Sequence, residues 1–182
     1  VGGFGGAAVL ATTRAAPHGA APRLVWETPE EAWDLVLDVN LKGAFLMSRA
    51  VIPHMLARRS GRIVNLASVA GKRGTARRGA YTASKFGIIG LTQVLAQELA
   101  AHGITVNAIC PGSVDTSRRE STSRREKALA ERDPAAPVVG MPPTGRGARS
   151  DDIARLALFF ASAESDHITG QAWNVDGGSV MH

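Results

Sequence analysis

Two short runs of apolar and β-branched residues constrain this chain more than anything else in it. Residues 62–67 (Arg-Ile-Val-Asn-Leu-Ala) and 104–110 (Ile-Thr-Val-Asn-Ala-Ile-Cys) are apolar at most positions rather than at alternate ones. Strands buried on both faces read this way, and they belong to parallel sheets covered by helices. Between the two runs, Ile88, Leu91, Leu95 and Leu99 recur at helical spacing in a segment from Tyr81 to about His102, stopped by Gly103.

The same alternation extends in both directions. Upstream, Thr28 is the expected N-cap of a helix with Pro29 at its first position and Glu31 completing a T-x-x-E capping box. Leu35, Val36, Val39, Leu41, Phe45, Leu46, Val51, Ile52 and Leu56 follow as its apolar stripe; Pro53 should kink it and Ser60-Gly61 end it. Downstream, Ser150 is the expected cap of a third helix, with Asp151 and Asp152 at its positive end and Ile153, Leu156, Ala157 and Phe160 as its buried stripe. A last short strand, 172–175, precedes Asp176-Gly177-Gly178. The expected fold is α/β: the C-terminal part of a Rossmann-type doubly wound parallel sheet, with about three strands and three main helices. It forms a single partial domain, with 1–27 an irregular lead-in, 28–112 the helix-strand-helix-strand core, 113–146 a substrate flap with a short helix near 118–131, and 147–182 the last helix and strand.

Composition closes off several classes. With 182 residues, 45% hydrophobic and 20% charged, the chain has enough material for one real core. No apolar run approaches the roughly 18–20 residues that span a bilayer, and residues 7–11 lack the basic segment that a signal peptide needs. A cytoplasmic protein, with neither membrane nor nucleic acid as partner, is the expectation. The single cysteine, Cys110, excludes an internal disulfide, and the five histidines show no ligand spacing, so no metal is expected. The net charge of +5 comes largely from Lys72-Arg73 with Arg77-Arg78, and from 118–127, where Glu120 and Glu126 interleave as on a solvated helix face. With three Trp, one Tyr and five Phe, few rings are available for base stacking.

The chemistry centres on Tyr81 and Lys85. Four residues apart on a helix, they share one face. A free phenol titrates near about 10, and a neighbouring ammonium favours its charged form, so such a pair can act as a general acid/base on an alcohol or carbonyl oxygen. The spacing alone is also that of many solvated helices.

Six segments resolve this ambiguity together: Asp38-Val-Asn-Leu-Lys-Gly43, Asn65-Leu-Ala-Ser68, Tyr81-Thr-Ala-Ser-Lys85, Val106-Asn-Ala-Ile-Cys-Pro-Gly112, Ile168-Thr-Gly170 and Val175-Asp-Gly-Gly178. In this order and spacing the chain resembles the C-terminal two-thirds of a short-chain dehydrogenase/reductase, nearest in pattern to the 3-oxoacyl-carrier-protein reductase-like branch. The resemblance implies an NAD(P)-dependent oxidoreductase moving hydride between nicotinamide and a secondary alcohol or ketone, with NAD or NADP as cofactor. By that resemblance Tyr81 is the acid/base, Lys85 favours its phenolate and binds the nicotinamide ribose, and Ser68 polarises the substrate oxygen. Asn40 holds a water linking Lys85 to solvent. Pro111 and Gly112 turn beneath the nicotinamide, the main chain of Val114 meets the carboxamide, and Thr116 lies near the carboxamide or phosphates. Asn65 and Asn107 are expected to be structural. The implied assembly is a homo-oligomer, tetramer or dimer.

The resemblance is incomplete. The glycine-rich T-G-x-x-x-G-x-G turn, the residue choosing NAD or NADP, and N-N-A-G are not in the sequence, and the glycines at 2–6 have another spacing. By the size of a βαβ unit, roughly 80–100 residues of the family's first half have no counterpart, leaving the edge of strand 62–67 uncovered. An alternative is therefore a non-catalytic remnant acting only through its oligomerisation helices, 29–58 and 81–102. An epimerase or dehydratase is a third option that the Val-Asp-Gly-Gly ending disfavours, and enoyl reductases separate their Tyr and Lys more widely.

Overall fold

The computed structural model describes residues 8–12, 22–114 and 142–181, the first of these as backbone only. Four parallel strands form one sheet in the order β1 (Ala8–Thr12), β2 (Gly61–Leu66), β3 (Ile104–Pro111) and β4 (Ala172–Val175). Strand neighbours pair in register, with Ala8 opposite Gly61, Gly61 opposite Ile104, and Ala108 opposite Ala172. The helices α1 (Glu30–Leu37) and α2 (Gly43–Arg58) connect β1 to β2, α3 (Gly79–Leu99) connects β2 to β3, and α4 (Ser150–Ala161) precedes β4.

Period-2 alternation sorts the strand residues between two helical layers. On one face Ile63, Ile104 and Val106 pack with Met55 of α2 and Leu95 and Leu99 of α3. On the other, Val64 and Ile109 meet Phe160 of α4, flanked by Ile153, Leu156 and Ala157. Phe160 also lies 5.2 Å, centroid to centroid, from Trp173 of β4. All eight residues of β3 are buried, as its continuous apolar run requires.

Several expectations change. Residues 8–12 are not part of an irregular lead-in: they form β1, so the sheet has four described strands rather than three, and the edge of β2 is covered. Thr28 does not cap the first helix. Its hydroxyl donates to the Leu24 carbonyl at 2.9 Å, closing the preceding 3₁₀ turn, and Pro29 takes the cap position with no side-chain bond. Likewise Arg149, not Ser150, caps α4: its amide donates to the Asp152 carboxylate at 2.8 Å. A hydrogen bond from Arg146, joined by that amide, holds the Asp152 carboxyl down at about 2.

The segment read as one long helix is three pieces. A π-helical turn, Asp38–Lys42, separates α1 from α2, and α2 continues through Pro53 to Arg58. The wider turn shifts the helical phase. After it Ala44, Ser48 and Met55 face inward, while Phe45 and Leu46, expected in the stripe, are exposed, as is Leu35 before it. The end of α2 is left-handed at Arg59 (φ 51°), not at Gly61. Gly103, after α3, has φ 71°, and a Cβ there would lie 2.6 Å from the Arg59 carbonyl oxygen, so the two helix ends meet at a residue that must be glycine.

Candidate active site at the strand ends

Of the predicted residues, Ser68, Pro111, Gly112 and Val114 lie at or just past the C-terminal ends of β2 and β3, where open parallel sheets bind ligands. Ser68 lies two residues past β2, buried and fully extended, and its Oγ accepts the Ala70 amide at 3.1 Å. The chain then turns through a short 3₁₀ segment, Val69–Gly71, that presses on α3. A Cβ on Gly71 would sit 2.7 Å from the carbonyl oxygen of Lys85. That contact seats the Ser68 turn against the same helical turn that carries Lys85.

Lys85 is 3% exposed, and its ammonium donates to the Leu66 carbonyl at 2.8 Å. The same ammonium lies 5.7 Å from the centroid of the half-buried Tyr81 ring, within cation–π range. Strand end, ammonium and phenol ring are thus linked in sequence. Tyr81 in turn packs against the buried pair Val36 and Ala80, which Trp33 and Val39 also meet, so α1 contributes to its apolar surroundings.

Asn40 sits in the π turn, 3% exposed, and its Nδ2 donates to Ser84 Oγ at 3.0 Å. Ser84 donates in turn to the Tyr81 carbonyl at 2.7 Å. Asn40 therefore reaches the Tyr81 turn through Ser84, a residue sequence reasoning passed over. The available signal was a hydroxyl three positions after the tyrosine, where it can bond back into its own helix. π turns recur at functional sites.

On the β3 side, Cys110 is fully buried, and its thiol takes a hydrogen bond from the Ser68 amide. Burial pushes the thiol up, opposed by the charges of Lys72 and then by that bond and Lys85. Pro111 is buried, and the Gly112 amide donates to Val175 at 3.1 Å. A Cβ on Gly112 would lie 2.7 Å from that of Asp176, whose carboxylate accepts the amides of Gly178 at 3.0 Å and Val180 at 2.8 Å. Asp176 is a second residue that sequence reasoning left without a role; it braces the turn below Gly112. Val114 bridges to Ala148, and Thr116 lies outside the described residues, as does the expected short helix at 118–131. Among the described residues no group of His, Cys, Asp or Glu could hold a metal ion, and no helix is long and apolar enough to cross a membrane.

The family described as Enoyl-(Acyl carrier protein) reductase matches residues 8–180. The 3-oxoacyl-[acyl-carrier-protein] reductase FabG of Thermotoga maritima is 40% identical over 152 residues, covering 84% of this chain and 58% of its own. The chain belongs to the short-chain dehydrogenase/reductase family. Two solved structures agree with this dehydrogenase/reductase fold. A putative 2-deoxy-d-gluconate 3-dehydrogenase from Agrobacterium tumefaciens, with bound NADP, superposes with a TM-score of 0.78 at 38% identity, covering 93% of this chain and 66% of that one. A 3-oxoacyl-[acyl-carrier protein] reductase from Brucella melitensis with bound NAD gives 0.79 at 35% identity, covering 96% and 62%. The chain therefore spans less than two thirds of each of these three proteins.

Proposed function

We propose that this chain carries the proton-transfer and nicotinamide-facing part of an oxidoreductase that moves hydride between NAD or NADP and a secondary alcohol or ketone. The observation that carries the reading is the buried Lys85 ammonium, set between the Leu66 carbonyl at the end of β2 and the ring of Tyr81. A buried ammonium beside a phenol, at strand ends, is a donor set that fits the hydroxyls of a nicotinamide ribose. Bound NAD or NADP supplies or accepts the hydride.

In the direction of reduction Tyr81 gives its phenolic proton to the substrate oxygen as that oxygen gains an electron pair; oxidation reverses the step. Lys85 stabilises the phenolate left behind. Ser68 accepts the Ala70 amide with a lone pair, so its own hydrogen can point at the same substrate oxygen and offset the charge developing there. Asn40 positions the Tyr81 turn through Ser84 and holds a water linking Lys85 to solvent. Pro111, Gly112 and Val114 would face the nicotinamide. The expected partners are a small alcohol or ketone and further copies of the chain, as a dimer or tetramer. Exposed Phe45, Leu46 and Met47 on α2 support a second reading, a non-catalytic module acting through its helices.

Fluorescence titration with NADH and NADPH, followed by turnover of a ketone panel, separates the two. Tyr81→Phe is expected to lower turnover by at least about a hundredfold, the usual scale of general acid/base catalysis, with cofactor affinity nearly unchanged. Turnover undiminished in Tyr81→Phe refutes the acid/base role; a wild-type chain with neither cofactor binding nor turnover leaves the module reading.

A further inference from the structure

The segment joining Ser68 to Tyr81 is unlike the rest of the molecule in charge. Its twelve intervening residues, 69–80, hold Lys72, Arg73, Arg77 and Arg78 and no acidic residue, against a net charge of +5 for the whole chain. Both ends of this segment are fixed. At the start, the amides of Lys72 and Arg73 close onto the Val69 carbonyl at 3.0 and 3.2 Å, directly after Gly71 has docked on the Lys85 carbonyl. At the finish, the Arg78 amide bonds Thr75 at 3.2 Å, the Arg78 carbonyl accepts the Thr82 amide at 2.8 Å, and the Arg77 carbonyl accepts the Arg23 amide at 3.0 Å. Arg77 itself has φ 63°, a left-handed conformation uncommon outside glycine and held here by those flanking bonds. The backbone of this basic segment is therefore tied down at both ends, with Lys72 four residues after Ser68 and Arg78 three before Tyr81. Among the influences that oppose the upward push of burial on the Cys110 thiol, the charge of Lys72 comes ahead of that of Lys85.

We infer that this segment selects substrates whose alcohol or ketone is accompanied by an anionic group, a carboxylate or phosphate, with Lys72 and Arg73 as its receptors beside Ser68. The inference rests on the proposed oxidoreductase reading for the position of the carbonyl, and adds the charge of the molecule that bears it. A solvated cationic rim with no receptor role is the competing account. The two differ in whether the charge preference follows particular side chains.

The test uses levulinate, a keto acid, against its neutral methyl ester, so that the carbonyl is constant and only the charge changes. Dissociation constants are measured by ligand-observed NMR on the full chain, with and without NADPH. Levulinate is expected to bind at least about fivefold more tightly than the ester, the scale of one or two partly exposed ion pairs, and the preference should shrink as salt screens it. Lys72→Met combined with Arg73→Met should abolish the preference without altering the circular dichroism spectrum. Should that double variant misfold, Lys72→Met alone, with inorganic phosphate as a competitor of levulinate in the wild type, gives the same decision. Equal affinities, no saturable levulinate binding, or a preference that survives the substitutions overturns the inference. Tyr81→Phe should retain the preference: loss of turnover together with retained selectivity, or the converse, tells failure of this inference from failure of the redox reading.

Discussion

At the scale of single residues, the positions that assemble the site are small ones as much as reactive ones. Gly71 is held between the Ser68 turn and α3, where an added Cβ would lie 2.7 Å from the Lys85 carbonyl oxygen and 2.9 Å from its carbon. Both are backbone atoms and cannot rotate away. Gly71→Ala is expected to destabilise the fold by about 1–3 kcal/mol, the usual cost of overpacking, read as a lower melting temperature by calorimetry. An unchanged melting temperature would show that the turn does not seat on the helix. In the sequence the one-turn spacing of Tyr81 and Lys85 offered the pair without deciding it, and Ser68 entered only through the resemblance carried by the six segments together. Gly71, Ser84 and the thiol of Cys110 were not legible there, since each matters through a neighbour far along the chain. The bond from Asn40 to Ser84 spans 44 positions.

Between elements, buried amides do the fastening that apolar contact cannot orient. Asn107 of β3 is 1% exposed; its Nδ2 donates to the Ile168 carbonyl at 2.8 Å and its Oδ1 accepts the Gln171 amide at 3.1 Å. One side chain thus holds both ends of the approach to β4. Asn107→Leu strands two backbone groups, and about 2–4 kcal/mol of stability should be lost by urea denaturation, given the cost of unpaired buried groups; a change under about 1 kcal/mol would mean that the loop rearranges to find other partners. Strands β2 and β3 and the helix α3 could be read from sequence because their apolar runs and periods are long, and the short β4 because Asp176-Gly177-Gly178 closes it. β1 could not. It is five residues, Ala-Val-Leu-Ala-Thr, and its pairing with β2 is what defines it. The phase error in α1 and α2 has a different origin: period counting assumes 3.6 residues per turn, and the π turn breaks that count within five residues.

For the molecule as a whole, the two helical layers are unequally finished. α4 buries Phe160 fully and leaves Leu158 exposed, whereas α2 and α3 together leave Phe45, Leu46, Met47, Phe86 and Val94 between 45% and 52% exposed. Apolar side chains in such number favour association. Analytical ultracentrifugation is expected to give a mass that rises with concentration above the 19.0 kDa monomer, and Phe45→Lys with Phe86→Lys should move it back down. A constant monomer mass at all concentrations would rule this out. The anchored segment between Ser68 and Tyr81 has a consequence at this scale too. Its termini are tied to the framework, while a Cβ added at Gly74 would meet no atom within 4 Å. A side chain introduced at Gly74 therefore has room while Ser68 and Tyr81 at the two moorings stay where they are, and on the proposed reading what is chosen and what is done to it would change on separate clocks.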